Sequence, residues 1–399
     1  MISQHSLLKN RGEWAEIVAV FACLSRGRVP TVKACETGLK ETGGEVIIAE
    51  MSIERANETI LYRFNRDTPP FKSVSIYINN NLVDTLPMHE VSTDSQTFIA
   101  AVKEQANTHK KGNFSVPAAD VLLKKYHLGS GKTKSTMKQD VDLILIDPDG
   151  IPVPKCGFSI KSFVGGNPTI FNASRAARFN FRLDGSKARE AVAISKEIHS
   201  TKPKSWVQIL IQRLYSIHAL TLSVEIPDRR FERNLELLDA NMPSVIGALL
   251  LNAYCTGEMA LSKNLNDVIL RDPMGFGKDA DTFYTYRVKH FLRAAALGFS
   301  SSKPWNGQEG ADGGMLFVSK DWNLYCLMSS RKDFEDYLIR TCRFESPSSS
   351  EKKHGGYGRV FEEWHGTYVD LLLQVREEDP FKKGPCSQIE NLQDQAKCE

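Results

Sequence analysis

Asp140, Asp142, Ser159 and Lys161 are the residues whose types and spacing could do chemistry. They lie in KQDVDLILIDPDGIPVPKCGFSIKS, where Asp147, Pro148, Asp149 and Gly150 separate two short apolar runs, the pattern of two neighbouring strands around a turn. In the first run Val141, Leu143 and Leu145 alternate with Asp142, Ile144 and Ile146, so Asp140 and Asp142 project from one face. In the second, Phe158 and Ile160 take the buried face while Ser159 and Lys161 share the other. Such a hairpin can bring Asp140 and Lys161 together at its open end. A carboxylate able to ligate a hard divalent ion, beside a lysine, suits metal-assisted phosphodiester hydrolysis: the ion acidifies a bound water, and the lysine orients that water or neutralises the phosphoryl oxygens. The plain alternative is an ion pair on an edge hairpin. These residue types alone do not separate the two readings, because Asp and Lys are common on surfaces.

The elements that must position these residues begin with an amphipathic helix over Asn10–Leu24, in which Trp14, Ile17, Val18, Phe21 and Leu24 form one stripe. Glu13 and Glu16 share a face near its N-terminus; taken alone, they read as solvated residues favoured by the helix dipole. From Arg28 to Leu86, EVIIAEMSI and SVSIYINNNLVDTLP read as strands with an Asn-rich turn, and Thr97–Ala106 reads as a helix; together they suggest an accessory layer. A lysine-rich passage follows. Its LGSGKTKST segment is not a phosphate loop, since Tyr126 stands where the pattern needs glycine and no apolar strand feeds it. It reads as a basic loop whose Lys132 and Lys134 either contact DNA phosphates or are simply solvated.

After the hairpin, Asn172 and Ser174 in FNASRAARFNFRL are placed to cap a short helix, with Arg175, Arg178 and Arg182 behind them. Ser186–Thr201 and Pro203–Leu222 read as helices, and Arg229–Leu261 as one or two longer ones around IGALLL. From Arg271 to Arg376 the pattern is mixed. Strand-like MLFVSK and WNLYCLM precede a helix at DFEDYLIRT, and a strand pair at GYGRVFEEW and YVDLLLQVR closes the region. The loop SPSSSEKKHGGYGR, carrying Lys352, Lys353 and Arg359, reads as phosphate-tracking or groove-entering. Beyond Asp379 the chain is polar and reads as a frayed tail.

With 399 residues, the chain has material for two to three domains by length. A net charge of +3 means that any nucleic-acid surface must come from local clustering rather than overall charge. No uncharged apolar window is long enough to span a bilayer, and Lys9, Arg11, Glu13 and Glu16 interrupt the start against a signal peptide; the expectation is a cytoplasmic protein with no membrane partner. Eight cysteines are spread singly with no CxxC, which fits reduced thiols and argues against a structural zinc site.

Four pieces in this order resemble the HpaII-type restriction endonucleases, a branch of the PD-(D/E)xK nucleases. They are NRGEWAE, KQDVDLILID followed by GFSIKS, NPTIFNAS, and the C-terminal GADGGMLFV, FEDYL, PSSS and LLLQVR stretches. The resemblance runs through most of residues 10 to 376 and is most specific at GFSIKS and NPTIFNAS. It implies an α/β (α+β) fold, with the mixed central sheet of the PD-(D/E)xK core flanked by helices and extended by helical and C-terminal α+β additions. The expected division is 1–110 N-terminal helix and accessory strands, 111–190 nuclease core, 191–300 helical subdomain, 301–378 C-terminal part of a DNA grip, and 379–399 tail.

The function implied is that of a type II restriction endonuclease cutting double-stranded DNA at a short specific site with Mg2+, alongside a cognate methyltransferase protecting the same site. By position, Asp140 matches the family's metal-binding aspartate and Lys161 its catalytic lysine. Ser159 stands where most nucleases of this fold have Asp or Glu, and a hydroxyl is a poor ligand for Mg2+. A site with one protein carboxylate holds Mg2+ weakly unless another arrives from elsewhere. The resemblance puts Glu16 first, because nucleases of this fold often bring a glutamate from an early helix; Glu13 is second, and Asp142 is the local alternative. The family's archetype recognises CCGG, but the match is looser in the C-terminal loops that would supply base contacts. Candidates for DNA contact are Lys132, Lys134, Asn172, Ser174, Arg175, Arg178, Lys278, Lys352, Lys353 and Arg359. A homodimer is expected from the need to cut both strands of a palindrome. The competing readings are a repair or mobile-element nuclease on the same fold, a site-specific DNA-binding protein without catalysis, and a protein-interaction module with no salt-dependent DNA affinity.

Overall fold

Asn10 and Glu13 start the first helix by exchanging hydrogen bonds: the Glu13 N–H donates to the Asn10 side chain at 3.0 Å, and the Asn10 N–H donates to the Glu13 carboxylate at 2.8 Å. The computed structural model describes residues 7–36, 38–55, 57–65, 70–109, 112–129 and 139–381. Helix α1 (Arg11–Arg26) buries Trp14, Val18, Phe21 and Leu24, the stripe expected from the sequence, and ends at Gly27 with φ 61°. A Cβ on Gly27 would lie 2.4 Å from the Phe71 ring, so both backbone and packing demand glycine there.

Next come β1 (Arg28–Cys35), β2 (Gly38–Glu54), β3 (Thr59–Asn65), β4 (Ser73–Ile78), β5 (Asn81–Pro87), α2 (Met88–Thr108), α3 (Pro117–Lys125), β6 (Val141–Ile146) and β7 (Cys156–Ser162). The Asn-rich turn joins β4 to β5 through Asn79 and Asn80, both at positive φ, as a tight hairpin turn requires. Helix α2 starts nine residues before the expected Thr97, directly after Pro87. Its polar opening, HEVSTDSQ, hides it from an apolar-periodicity reading.

These strands share one nine-stranded mixed sheet with Gly314–Val318 and Leu324–Leu327, in the order β1, Leu324–Leu327, Gly314–Val318, β7, β6, β2, β3, β4, β5. The strands expected as an accessory layer therefore lie in the same sheet as the Asp140 hairpin, with Ser52 of β2 directly opposite Asp142 of β6. The first part of β2 pairs back onto β1, so the ladder returns to its own start. Where β7 meets the GADGG segment, glycine is needed on both sides of the contact. A Cβ on Gly157 would sit 2.3 Å from the Gly310 carbonyl oxygen, and one on Gly313 would sit 2.5 Å from the Phe158 ring.

The described residues fall into two compact units. One lies within Met1–Pro168, Glu309–Ser330 and Asp379–Glu399, and the other is Thr169–Gln308 with Arg331–Glu378. In the first unit, α1 packs against α2, β1, β7 and Gly314–Val318 around a core that includes Trp14, Phe21, Phe98, Phe114 and Tyr126. Its C-terminal piece is anchored: Asp379 pairs with Lys320 at 2.7 Å, the Pro380 carbonyl accepts from the Leu39 N–H, and Phe381 packs on Phe163, Phe317 and Tyr325. The rest of the expected tail, from residue 382, lies outside the described residues.

The second unit is largely helical, with two small sheets. One runs Leu220–Glu225, Arg178–Leu183, Gly366–Leu372, Val360–Glu363, and the other Cys342–Phe344, Val375–Glu377, Thr169–Phe171. The helix expected over Pro203–Leu222 is shorter, Trp206–Ser216. His218 at φ 57° turns the chain, and Leu220–Glu225 becomes a strand on Arg178–Leu183. Arg229–Leu261 resolves into Arg229–Leu238 and Met242–Thr256; the second buries the IGALLL run and starts next to Pro243. Among the described residues no helix is long and apolar enough to cross a membrane. Cys23, Cys35, Cys156, Cys255, Cys326 and Cys342 are free thiols.

Candidate active site

The β6–β7 register builds the site. Val141 pairs with Phe158 and Asp142 with Gly157, so Asp140 lies opposite Ser159 at the end of the ladder, where its N–H donates to the Phe158 carbonyl at 2.9 Å. Its Oδ2 accepts from the Ile160 N–H at 2.6 Å and from the Ser159 hydroxyl at 3.4 Å. Lys161 Nζ donates to Ser159 Oγ at 2.8 Å. Asp140, Ser159 and Lys161 are thus joined through the serine, which is 1% exposed.

Helix α1 carries Glu16, the first candidate for a second acid. Arg11 ties its start to the segment after β7 by donating to the Val164 carbonyl at 3.3 Å, and to the end of α2 through the Ala106 and His109 carbonyls. Buried Trp14 donates its Nε1–H to the Phe114 carbonyl at 3.1 Å. These anchors set the helix so that Glu16 senses the charges of both Asp140 and Lys161. Glu16 keeps a solvent-facing surface while protein crowds its other sides. That desolvation, followed by the charges of Asp140 and Glu13, pushes its carboxyl from 4.5 up to about 7, against the opposing pull of Lys161 and Lys9. Arg11 and Trp14 were not singled out from the sequence as site-building residues. Only their place in NRGEWAE pointed to them.

The other two acids have partners of their own. Glu13 closes the capping box of α1. Asp142 is 4% exposed and pairs with Lys155 at 2.9 Å, while also accepting from Gln139 at 2.8 Å and Ser52 at 3.4 Å. At the start of β7 the Gly157 N–H donates to Asp312 at 2.8 Å, fixing the GADGG segment to the strand.

Mg2+ keeps several waters and is bound through one or two carboxylates. The donor set of Asp140 and Glu16 fits that requirement, and no group of three His, Cys, Asp or Glu suited to a metal occurs among the described residues. A raised carboxyl pKa has a definite sign. It favours the folded state fully below pH about 4.5, and that contribution is lost as pH rises through about 7. In metal-free protein, Glu16 is expected to titrate near neutrality and to move down in Asp140→Asn, which removes the second-largest cause. Carbon-13 NMR of labelled glutamate measures both, and a Glu16 in the ordinary carboxylate range contradicts this account.

The remaining candidates lie in the second unit or outside the described residues. Lys132 and Lys134 are outside. Asn172 is exposed. Ser174 caps no helix: it bonds to Ser301 at 2.7 Å and accepts from the Ala177 N–H, shaping a turn before Arg178–Leu183. Arg178 pairs with buried Asp370 and donates to the Gly356 carbonyl at 2.8 Å and the His354 carbonyl at 3.4 Å. Desolvation, then the charges of Arg359 and Arg175, push its pKa down, which marks a concentration of cations. Arg359 holds the same loop through its N–H on Asp370 at 2.6 Å and its side chain on the Gly355 carbonyl. Lys352, Lys353, Arg175 and Arg359 are exposed around it, and Lys278 lies exposed on a separate turn.

The sequence model of the HpaII restriction endonuclease family matches residues 10–377. The type II restriction enzyme HpaII of Haemophilus parainfluenzae is 28% identical over 369 residues, spanning 92% of this chain and 98% of that protein. No solved structure matches. With the match running from the cap of α1 to the last strand of the second unit, the chain belongs to the HpaII restriction endonuclease family and, with it, to the site-specific endonucleases.

Proposed function

We propose that the chain is a Mg2+-dependent type II restriction endonuclease with a PD-(D/E)xK core, hydrolysing double-stranded DNA at a short palindromic site. The carrying observation is the junction of Asp140, Ser159 and Lys161 at the end of β6–β7, with the charge of Glu16 coupled to it. Bound Mg2+ would supply a Lewis acid for the phosphodiester and acidify a water. Asp140 and Glu16 would hold it, and the Lys161 ammonium would face the phosphoryl charge. In the second unit Arg175, Arg359, Lys352 and Lys353 would meet phosphates or base edges, and Asn172 would lie with them. Lys132 and Lys134 remain candidates for phosphate contact. CCGG is the first site to test, because the HpaII enzyme is the relative matched over nearly its whole length. A cognate methyltransferase and a homodimer complete the proposal.

With Mg2+ the protein is expected to cut a plasmid into discrete fragments, and with EDTA to leave it intact; sequenced fragment ends give the site. Glu16→Ala should raise the Mg2+ concentration needed for cutting, whereas Asp142→Ala should leave that requirement near wild type. A smear without bands would favour a repair or mobile-element nuclease. One observation favours a DNA-binding protein without catalysis: neutral Ser159 stands in place of a carboxylate. Site-specific binding with no cutting under any divalent ion would decide for that reading.

A further inference from the structure

We infer that Ser159 is a positioning residue that holds the Lys161 ammonium beside Asp140 through a neutral hydroxyl, and is not a metal ligand. The inference rests on the nuclease reading for its catalytic consequence, while the tether itself concerns metal-free protein. Ser159 Oγ has one proton to donate and lone pairs to accept with. It accepts from Lys161 Nζ at 2.8 Å and points its own proton to Asp140 Oδ2 at 3.4 Å. At 1% exposure it has little access to water, so these two side chains dominate its bonding. The same Oδ2 takes the Ile160 N–H at 2.6 Å, which fixes the carboxylate against β7 and gives the serine a stationary anchor.

The choice of serine has a physical consequence. A carboxylate at this position would form an ion pair with Lys161 and repel Asp140 directly across the ladder. The hydroxyl bonds the ammonium without neutralising it. Lys161 directs one of its three donors to the Ser159 hydroxyl rather than to a carboxylate at that position. The second carboxylate is then supplied from α1 by Glu16, outside the β7 strand. Ser159 itself is enclosed by its neighbours, Asp140 just ahead of β6 and Met315 on Gly314–Val318.

The test compares Ser159→Ala and Ser159→Thr with wild type, after thermal unfolding has shown which variants melt with it. In metal-free, DNA-free protein carrying Nζ- and Cε-labelled lysine, NMR should find the Lys161 ammonium ordered in wild type and mobile in Ser159→Ala. Calorimetry should find Mg2+ affinity unchanged within about twofold. Single-turnover cleavage at saturating Mg2+ should fall about 10- to 100-fold, the scale of a misplaced catalytic group. An ammonium as ordered in Ser159→Ala as in wild type overturns the inference whether or not the protein cuts DNA. So does a tenfold weaker Mg2+ affinity with the rate restored by excess ion, since that outcome makes Ser159 a ligand. A Thr variant that melts with wild type yet leaves Lys161 as mobile as the Ala variant does the same. Failure of wild-type protein to cut any DNA counts against the nuclease reading alone, because the ammonium measurement still decides the tether.

Discussion

Asp140→Asn is expected to abolish cleavage, by about 10^3-fold or more at saturating Mg2+, while leaving the protein folded and able to bind DNA. The substitution keeps the shape of the side chain and an oxygen that can accept from the Ile160 N–H, which Asp140 Oδ2 does at 2.6 Å. What it removes is the negative charge. With Glu13 in the capping box and Asp142 paired to Lys155, Asp140 and Glu16 are the carboxylates proposed to hold the metal. Losing one of two would leave a hard cation with a single carboxylate, that of Glu16, beside neutral oxygens and water. Metal-ion stabilisation of a phosphoryl transition state amounts to several kcal/mol, and each 1.36 kcal/mol is about tenfold in rate. Binding should persist or tighten slightly, because a negative charge near the phosphates is gone. Single-turnover cleavage and a binding titration in EDTA measure the two halves of the prediction. A variant within tenfold of wild type would remove Asp140 from the metal site.

Local chemistry made the hairpin legible. Alternation over Val141–Ile146 and the Asp147–Gly150 turn were enough to put Asp140 and Lys161 on one hairpin; the residue types alone left an edge ion pair open, and it was the family resemblance that singled the two out. The bridging serine was not legible, since whether Ser159 ligates a metal or spans two side chains depends on ladder register and on what lies across it. Helix α1 was readable from its stripe and acids. Its anchorage was not, because Arg11 bonds carbonyls far along the chain in Ala106, His109 and Val164. The same holds for the sheet. That β2 pairs β6, and that Gly314–Val318 returns to lie parallel to β7, are long-range pairings which alternation in each segment does not specify. At Asn172 and Ser174 a capping signature served a turn instead, the hydroxyl being taken by Ser301. After Ser216, positive φ at His218 and the β-favouring TLSVE run overrode the apolar spacing that suggested more helix.

Asp370→Ala is expected to destabilise the second unit by about 3–5 kcal/mol, the usual cost of stranding one member of a buried ion pair. Both side chains are well shielded, Arg178 at 19% and Asp370 at 3% exposure, so the figure for a surface pair does not apply. Asp370 also accepts the Arg359 N–H at 2.6 Å and so joins Arg178–Leu183, Gly366–Leu372 and the loop ahead of Val360 at one point. Without it, Arg178 would lose its carboxylate while keeping its burial, the first cause of its lowered pKa, and the nearby charges of Arg359 and Arg175, the next two. Arg178→Met should cost less, because Asp370 would keep the Arg359 N–H and the nearby cations. Urea unfolding at constant m gives both values, and a loss below about 1 kcal/mol for Asp370→Ala would show that the pair does not hold the unit together. The functional consequence follows from the same contacts. Arg178 and Arg359 hold the carbonyls of His354, Gly355 and Gly356, so a stranded Arg178 frees the loop that displays Lys352 and Lys353. DNA affinity should therefore fall with stability, and its salt dependence should flatten as ordered cations are lost from the interface.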